Sequence, residues 1–251
     1  MRNLRKIIII GVILTVSTNL YSRSIIVETN CPLCDTVVAY RQHISFSVFT
    51  NGLDLQPIGS VLFPLPIPRC ENCGFVFIED FFTDYEIIIL RNYIIEQNIF
   101  YGKENFPDNY FLAFVLQLLE TRDNGEVAHF FISSVWEYSF IKMAVQYIEE
   151  NEIENTNGIN FDMSTYIFLK QNAIEKINAV DTNFETYYEM QLVKLDFMRR
   201  LGLFDEAKSI INYIRSSQNF YKGIVVDIIR YQTVLIGRND RNQHFLDHID
   251  L

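Results

Sequence analysis

All four cysteines of the chain stand in two pairs with the same internal spacing, Cys31-Pro32-Leu33-Cys34 and Cys70-Glu71-Asn72-Cys73. Two residues between thiols let one tight turn aim both sulfurs at a point, so two such turns can supply four thiolates to a closed tetrahedral zinc site. Between Cys34 and Cys70 lie 35 residues, enough for a β-hairpin. Gly74, directly after the second pair, suits the positive φ that often ends a metal-binding turn. Two other chemistries compete. Structural disulfides fit an oxidising compartment, and four cysteines allow three pairings. A redox centre would place CxxC at the opening of a helix, whereas Asp35-Thr36-Val37-Val38 and Gly74-Phe75-Val76-Phe77 are strand-like. The symmetric pairs favour zinc at Cys31, Cys34, Cys70 and Cys73 over a disulfide framework. Four sulfurs leave no coordination position for water, so the ion would be structural, holding together a small β-domain with a thin core.

The other ionisable residues offer weaker chemistry. His244 and His248 would share one helical face with Asp247 beside them, the outline of a two-His, one-carboxylate metal site. The chain ends three residues after His248, however, and a solvated tail accounts for them. His129, next to Phe130 and Phe131, reads as a packed or surface residue, and His43 falls in the expected hairpin bend. Glu79, Asp80, Asp84 and Glu86 resemble an acid/base cluster, but they surround Thr83, where the helix dipole favours negative charge at a helix start. No GxSxG, Walker-type phosphate loop, GxGxxG or HExxH occurs.

These residues need elements to position them. The chain has 251 residues, 49% hydrophobic and 21% charged, with 21 Phe and 14 Tyr, which excludes a disordered or low-complexity chain and provides ample core. Net charge is −10 with no basic cluster, and Arg41 and Arg69 stand almost alone in the cysteine region, so nucleic acid is not an expected partner. At the amino end, Arg2, Arg5 and Lys6 precede the apolar run Ile7 to Val16, a signal-peptide pattern. The uncharged stretch Ile7 to Ser22 is short for a membrane span and polar at Ser17, Thr18 and Asn19, so cleavage is favoured over anchoring; Leu20 and Ser22 occupy the −3 and −1 places of a cut, although Leu is larger than the residue usual at −3. Residues 1–22 are therefore a signal peptide or anchor. The rest is exported, periplasmic or held at the outer face of the inner membrane, and touches the membrane only through that segment if it is uncleaved.

Residues 23–82 then form a zinc-ribbon-like β-domain. Val37, Ala39, Ile44, Phe46 and Val48 alternate with more polar neighbours around a bend at Arg41-Gln42-His43, and Val61 to Phe63 and Phe75 to Ile78 read as further short strands. From Thr83 the period becomes about 3.6. Helices are expected over 84–99, 107–121, 125–150, 161–179, 183–201, 204–217 and 220–236, with a loop over 151–160 and a tail over 241–251. Thr83 to Glu86 and Thr182 to Glu185 each read T-x-x-E, a capping box. Gly125 and Gly202 fall where turns between antiparallel helices need them. Leu201 to Ala207 resembles the turn between the two helices of a tetratricopeptide repeat, with Gly for the turn, an aromatic beneath it and a small Ala at the close approach.

Five features together resemble the bacterial domain-of-unknown-function family numbered 2225. They are the N-terminal CPxC, the PxC-xx-CGF knuckle from Pro68 to Phe75, the acidic-aromatic run Glu79 to Phe82, a helix ending near the lone Trp136, and RRLGxFxEA from Arg199 to Ala207. The resemblance covers most of residues 28 to 216. It implies a zinc-ribbon-like head joined to tetratricopeptide-type helices and brings no established activity. Asp35 stands where such a first knuckle often has Gly.

The expected protein is α+β: a small zinc-ribbon-like β-domain followed by an all-α tetratricopeptide-like array over 83–240. Its expected role is a non-catalytic scaffold that offers a concave helical surface to a protein or peptide partner. The competing expectation is a metal-dependent hydrolase with its site between head and helices, using His43 or the acidic cluster.

Overall fold

Arg23 to Ser45 holds two runs of strand-forming residues separated by Cys31 to Thr36, and the chain reverses at that interruption. In a computed structural model describing residues 22–78, 80–97, 106–119, 122–150, 160–217 and 224–245, β1 (Arg23–Asn30) and β2 (Val37–Ser45) pair antiparallel. Asn30 lies opposite Val37 and Arg23 opposite Ser45, so the first CxxC is itself the hairpin turn. This corrects the expected bend at Arg41 to His43, which lie inside β2. A second antiparallel pair joins β3 (Val48–Asn51) to β4 (Pro57–Gly59). The strands expected at Val61 to Phe63 and Phe75 to Ile78 do not form. Val76 makes one isolated bridge, to Arg69, and Pro64, Pro66 and Pro68 leave the segment before it only the N–H groups of Leu65 and Ile67 between them.

Seven helices follow among the described residues: α1 (Asp84–Gln97), α2 (Asp108–Leu118), α3 (Asn124–Glu150), α4 (Met163–Asn178), α5 (Tyr187–Leu201), α6 (Phe204–Ser216) and α7 (Ile224–Gly237). From α2 to α7, helices adjacent in sequence pack on one another, which gives a β head carrying a helical array. Trp136 lies in the middle of α3, which continues to Glu150.

The capping box at α1 is formed: Thr83 N donates to Glu86 Oε2 at 2.9 Å and Glu86 N to Thr83 Oγ1 at 3.3 Å. The second T-x-x-E is not. Thr182 to Glu185 lie in turns ahead of α5, where Asp181 Oδ1 accepts from Asn183 N and redirects the chain. That detour sets Phe184 against Gly125, which sits in the first turn of α3 rather than between helices; a Cβ there would overlap the Phe184 ring. Gly202 does end α5 in the left-handed region, with φ 81°, and Leu203 N closes the turn on Met198 O at 2.9 Å. Ala207 is fully buried in the core shared by α5, α6 and α7.

Head and helices share their cores. Cys31, Leu33, Phe75 and Phe77 pack in one cluster with residues of α1 to α5, and Leu53, from the β3–β4 loop, is buried with α5, α6 and α7. A polar network backs the second junction. Arg200 Nη1 meets Asp54 Oδ2 at 3.1 Å and Asp196 Oδ2 at 3.4 Å, and its Nη2 donates to the Tyr166 hydroxyl. Arg199 reaches Asp196 Oδ1 at 2.6 Å, Gln232 Oε1 at 2.8 Å and the Asp240 carbonyl at 2.7 Å.

The end of the described chain closes over this network. Leu53 N donates to His244 O at 3.0 Å, and Gly52 bridges Phe245. Residues 240–245 are therefore non-helical and docked, which removes the expected helical face of His244. No helix of the described residues is long and apolar enough to cross a membrane. The expected signal peptide or anchor over 1–22, apart from Ser22, and the expected loop over 151–160, apart from Asn160, lie outside the described residues.

Candidate metal centre

Two turns of the same construction build the site. In the first, Cys31 N donates to Thr36 O at 2.8 Å and Asp35 N to Cys31 O at 2.9 Å; in the second, Cys70 N donates to Phe75 O at 2.8 Å and Gly74 N to Cys70 O at 2.8 Å. Each turn ends on a left-handed residue directly after its second cysteine, Asp35 at φ 57° and Gly74 at φ 74°. An Asp is one of the few side-chain-bearing residues that adopt this conformation readily, so the departure at Asp35 preserves the turn.

The result brings all four cysteines together. Their Sγ atoms lie within 4.8 Å of one another, with Cys31–Cys73 at 3.6 Å, Cys34–Cys70 at 3.5 Å and Cys34–Cys73 at 3.5 Å. All four are free thiols; Cys31 and Cys70 are buried, Cys34 and Cys73 half-buried. The four could bind a metal ion.

The surroundings favour thiolate at Cys31 and Cys34 and the protonated thiol at Cys70 and Cys73. The hydrogen bond from Cys73, aided by the backbone amides of Leu33 and Cys34, holds the Cys31 thiol down to about 5 against the opposing effect of burial. The same contact pushes Cys73 up, so in this arrangement Cys73 keeps a proton that Cys31 has lost. Burial raises the Cys70 thiol above its ordinary value despite the amides of Asn72 and Cys73. Burial acts the same way on Cys34, but contacts from the Thr36 side chain and amide and from Asn72 outweigh it. The amides that serve Cys31 and Cys70 come from matching positions of the two turns, a pattern that stabilises negative sulfur.

The other candidate residues are engaged elsewhere. Glu86 is capped on Thr83 and takes two bonds from Arg122 at 2.8 Å; burial opposes ionisation, but these contacts hold it below the usual carboxylate range. That ties up the acidic cluster's central member, and Glu79 lies outside the described residues. His43 sits in β2, and burial lowers the pKa of His129. His244 Nε2 lies 3.1 Å from Asp240 Oδ2; His248 and Asp247 are outside the described residues.

Some contributors carry no motif. Asn72 Nδ2 approaches Cys34 Sγ at 3.6 Å, and Arg91 of α1 donates to the Pro32 carbonyl at 3.3 Å, steadying the first turn from the helical side. Glu137 of α3 accepts the first free amides of α2, Asp108 N and Asn109 N, both at 3.1 Å. Spacing within one element cannot announce such contacts, because each joins distant parts of the chain.

Fold and site thus define an α+β protein with a metal-capable four-cysteine head and a helical array. Among family models, curated proteins and solved structures, none matches the chain.

Proposed function

We propose that the four cysteines hold one structural zinc ion and that the chain is a non-catalytic, exported or membrane-tethered scaffold whose helices dock a protein or peptide partner. The observation that carries the zinc reading is the sulfur geometry. A tetrahedral ion with Zn–S bonds of about 2.3 Å has sulfur–sulfur edges of about 3.8 Å, and three sulfur pairs lie at 3.5 or 3.6 Å. An ion so enclosed has no vacant position for water or substrate, which favours a staple over a catalyst. The scaffold reading draws on helices packed in chain order and on the Gly202 turn with buried Ala207, as in a tetratricopeptide-type pair. The proposed kinship with family 2225 draws on the same turn and on the PxC-xx-CGF knuckle.

The competing hydrolase would need ligands with an open position. Among the described residues, the cysteines are the only three or more His, Cys, Asp or Glu side chains close enough to share an ion. Metal analysis with thiol counting on exported, mature protein tests the proposal. One zinc per chain, with four thiols released only on unfolding, is the expected result; metal-free protein with its sulfurs joined as cystines overturns it.

A further inference from the structure

A cavity of about 550 Å³ lies between head and helices, within the size range of ligand-binding clefts. One wall is Tyr40, Arg41, Gln42 and His43 of β2. A strand showing a cavity its face contributes every other residue, so four consecutive ones mean that the strand's edge runs along it. The opposite edge of β2 is taken by β1, and no strand among the described residues pairs with this one. A second wall is the segment 64–68, which forms no ladder with β2 and keeps only the N–H groups of Leu65 and Ile67 between Pro64, Pro66 and Pro68. Helix α3 adds His129 and Phe130. The cavity is thus a groove beside an open strand edge, bounded by a wall that does not pair with it.

We propose that an extended segment of a partner protein binds here as an added strand on β2, with an acidic residue against Arg41. Strand addition draws affinity from main-chain hydrogen bonds and specificity from alternate side chains. Arg41 is exposed and enters none of the ion pairs of the described residues, so in a chain of net charge −10 it selects a carboxylate. Burial lowers the His129 pKa, which favours a neutral ring, and Asp80, also on the wall, repels acid elsewhere, which fixes the acidic residue at Arg41. His43 Nδ1 is buried without a partner, a polar group left unsatisfied in the free protein. The inference deepens the scaffold reading and rests on it, but names a different surface from the helical array.

The test is a phage-displayed random octapeptide library panned on the full chain, followed by titration of enriched peptides. Enriched sequences are expected to alternate apolar residues, carry Asp or Glu and lack Pro. N-methylation of the peptide backbone should weaken binding at least tenfold at alternate residues and leave the interleaved ones unaffected, because a ladder uses every other amide on one edge. Arg41→Glu should weaken acidic peptides at least tenfold and favour their Lys-substituted versions. Peptides indifferent to both changes bind elsewhere, which overturns the groove and keeps the binding role. No enrichment also overturns the groove, while capture of a folded partner by the helices is measured separately.

Discussion

A single sulfur carries more than its own contacts, because the four thiols are held in one cluster by two matched turns. If the proposed zinc is held there, Cys70→Ser is expected to lower metal content and to remove a large part of the on the order of 10 kcal/mol that a structural zinc contributes; metal analysis and denaturant unfolding measure both. Lys170 presents the opposite case, a charge the fold resists. It is buried under the Tyr166 ring, 4.0 Å from its centre. Burial, then the neighbouring Arg200, lowers its pKa to about 6, against partial support from Asp196 and Asp54. Between pH 6 and its ordinary value near 10.5 the unfolded chain therefore holds a proton that the folded chain lacks. Stability from this site rises with pH across that window and is lost as pH falls toward 6. Lys170→Met should raise the melting temperature, most of all near pH 6, and flatten the slope of stability against pH; an unchanged slope would show that the amine does not titrate in this range.

At the scale of elements, close approach and backbone hand decide which substitutions matter. Gly125→Ala should destabilise by ~1–3 kcal/mol through overpacking on Phe184, and pairing it with Phe184→Leu should recover part of the loss in thermal melts. At Asp35, with φ 57°, a β-branched side chain is strained, so Asp35→Val should cost ~2 kcal/mol and Asp35→Gly should not destabilise. These sites also show what sequence could reveal. Helices were legible because stripes such as Phe111, Val115 and Leu118 repeat at helical spacing, and the metal-capable cluster because each pair lies within one turn. Strand boundaries were not: the β1–β2 ribbon leaves Ile26, Val37 and Ile44 more than half exposed, so its alternation does not mark an inner face. Gly125 was visible, but its reason was Phe184, some sixty residues later. The last-turn arginines of α5 usually sit in water; only the fold reveals that Arg199 and Arg200 are buried on Asp196 and Asp54.

Across the molecule, the β3–β4 loop plugs the far end of the helical array while the cysteine turns pack against its beginning. The head is thus tied to the helices at two places with different chemistry, apolar around Phe75 and Phe77 and ionic at Asp54–Arg200, with residues 240–245 closing over the ionic one. Removing a partner from a buried ion pair leaves an uncompensated charge, at a cost of ~3–5 kcal/mol. Asp196 still faces Arg200, so Asp54→Ala should fall near the lower end of that range. The consequence for shape is more specific than the loss of stability. Without Asp54 the second tie weakens while the first and the cysteine cluster are untouched, so the capacity of the cluster to bind metal should persist while Leu53 and the chain near Phe245 become accessible. Limited proteolysis should then cut first in the β3–β4 loop or after Asp240, and calorimetry should resolve two transitions instead of one. Because the pair is buried, raising the salt concentration in the wild-type protein should not reproduce that pattern. A single transition at an unchanged midpoint in Asp54→Ala would mean that apolar packing alone fixes the head on the array.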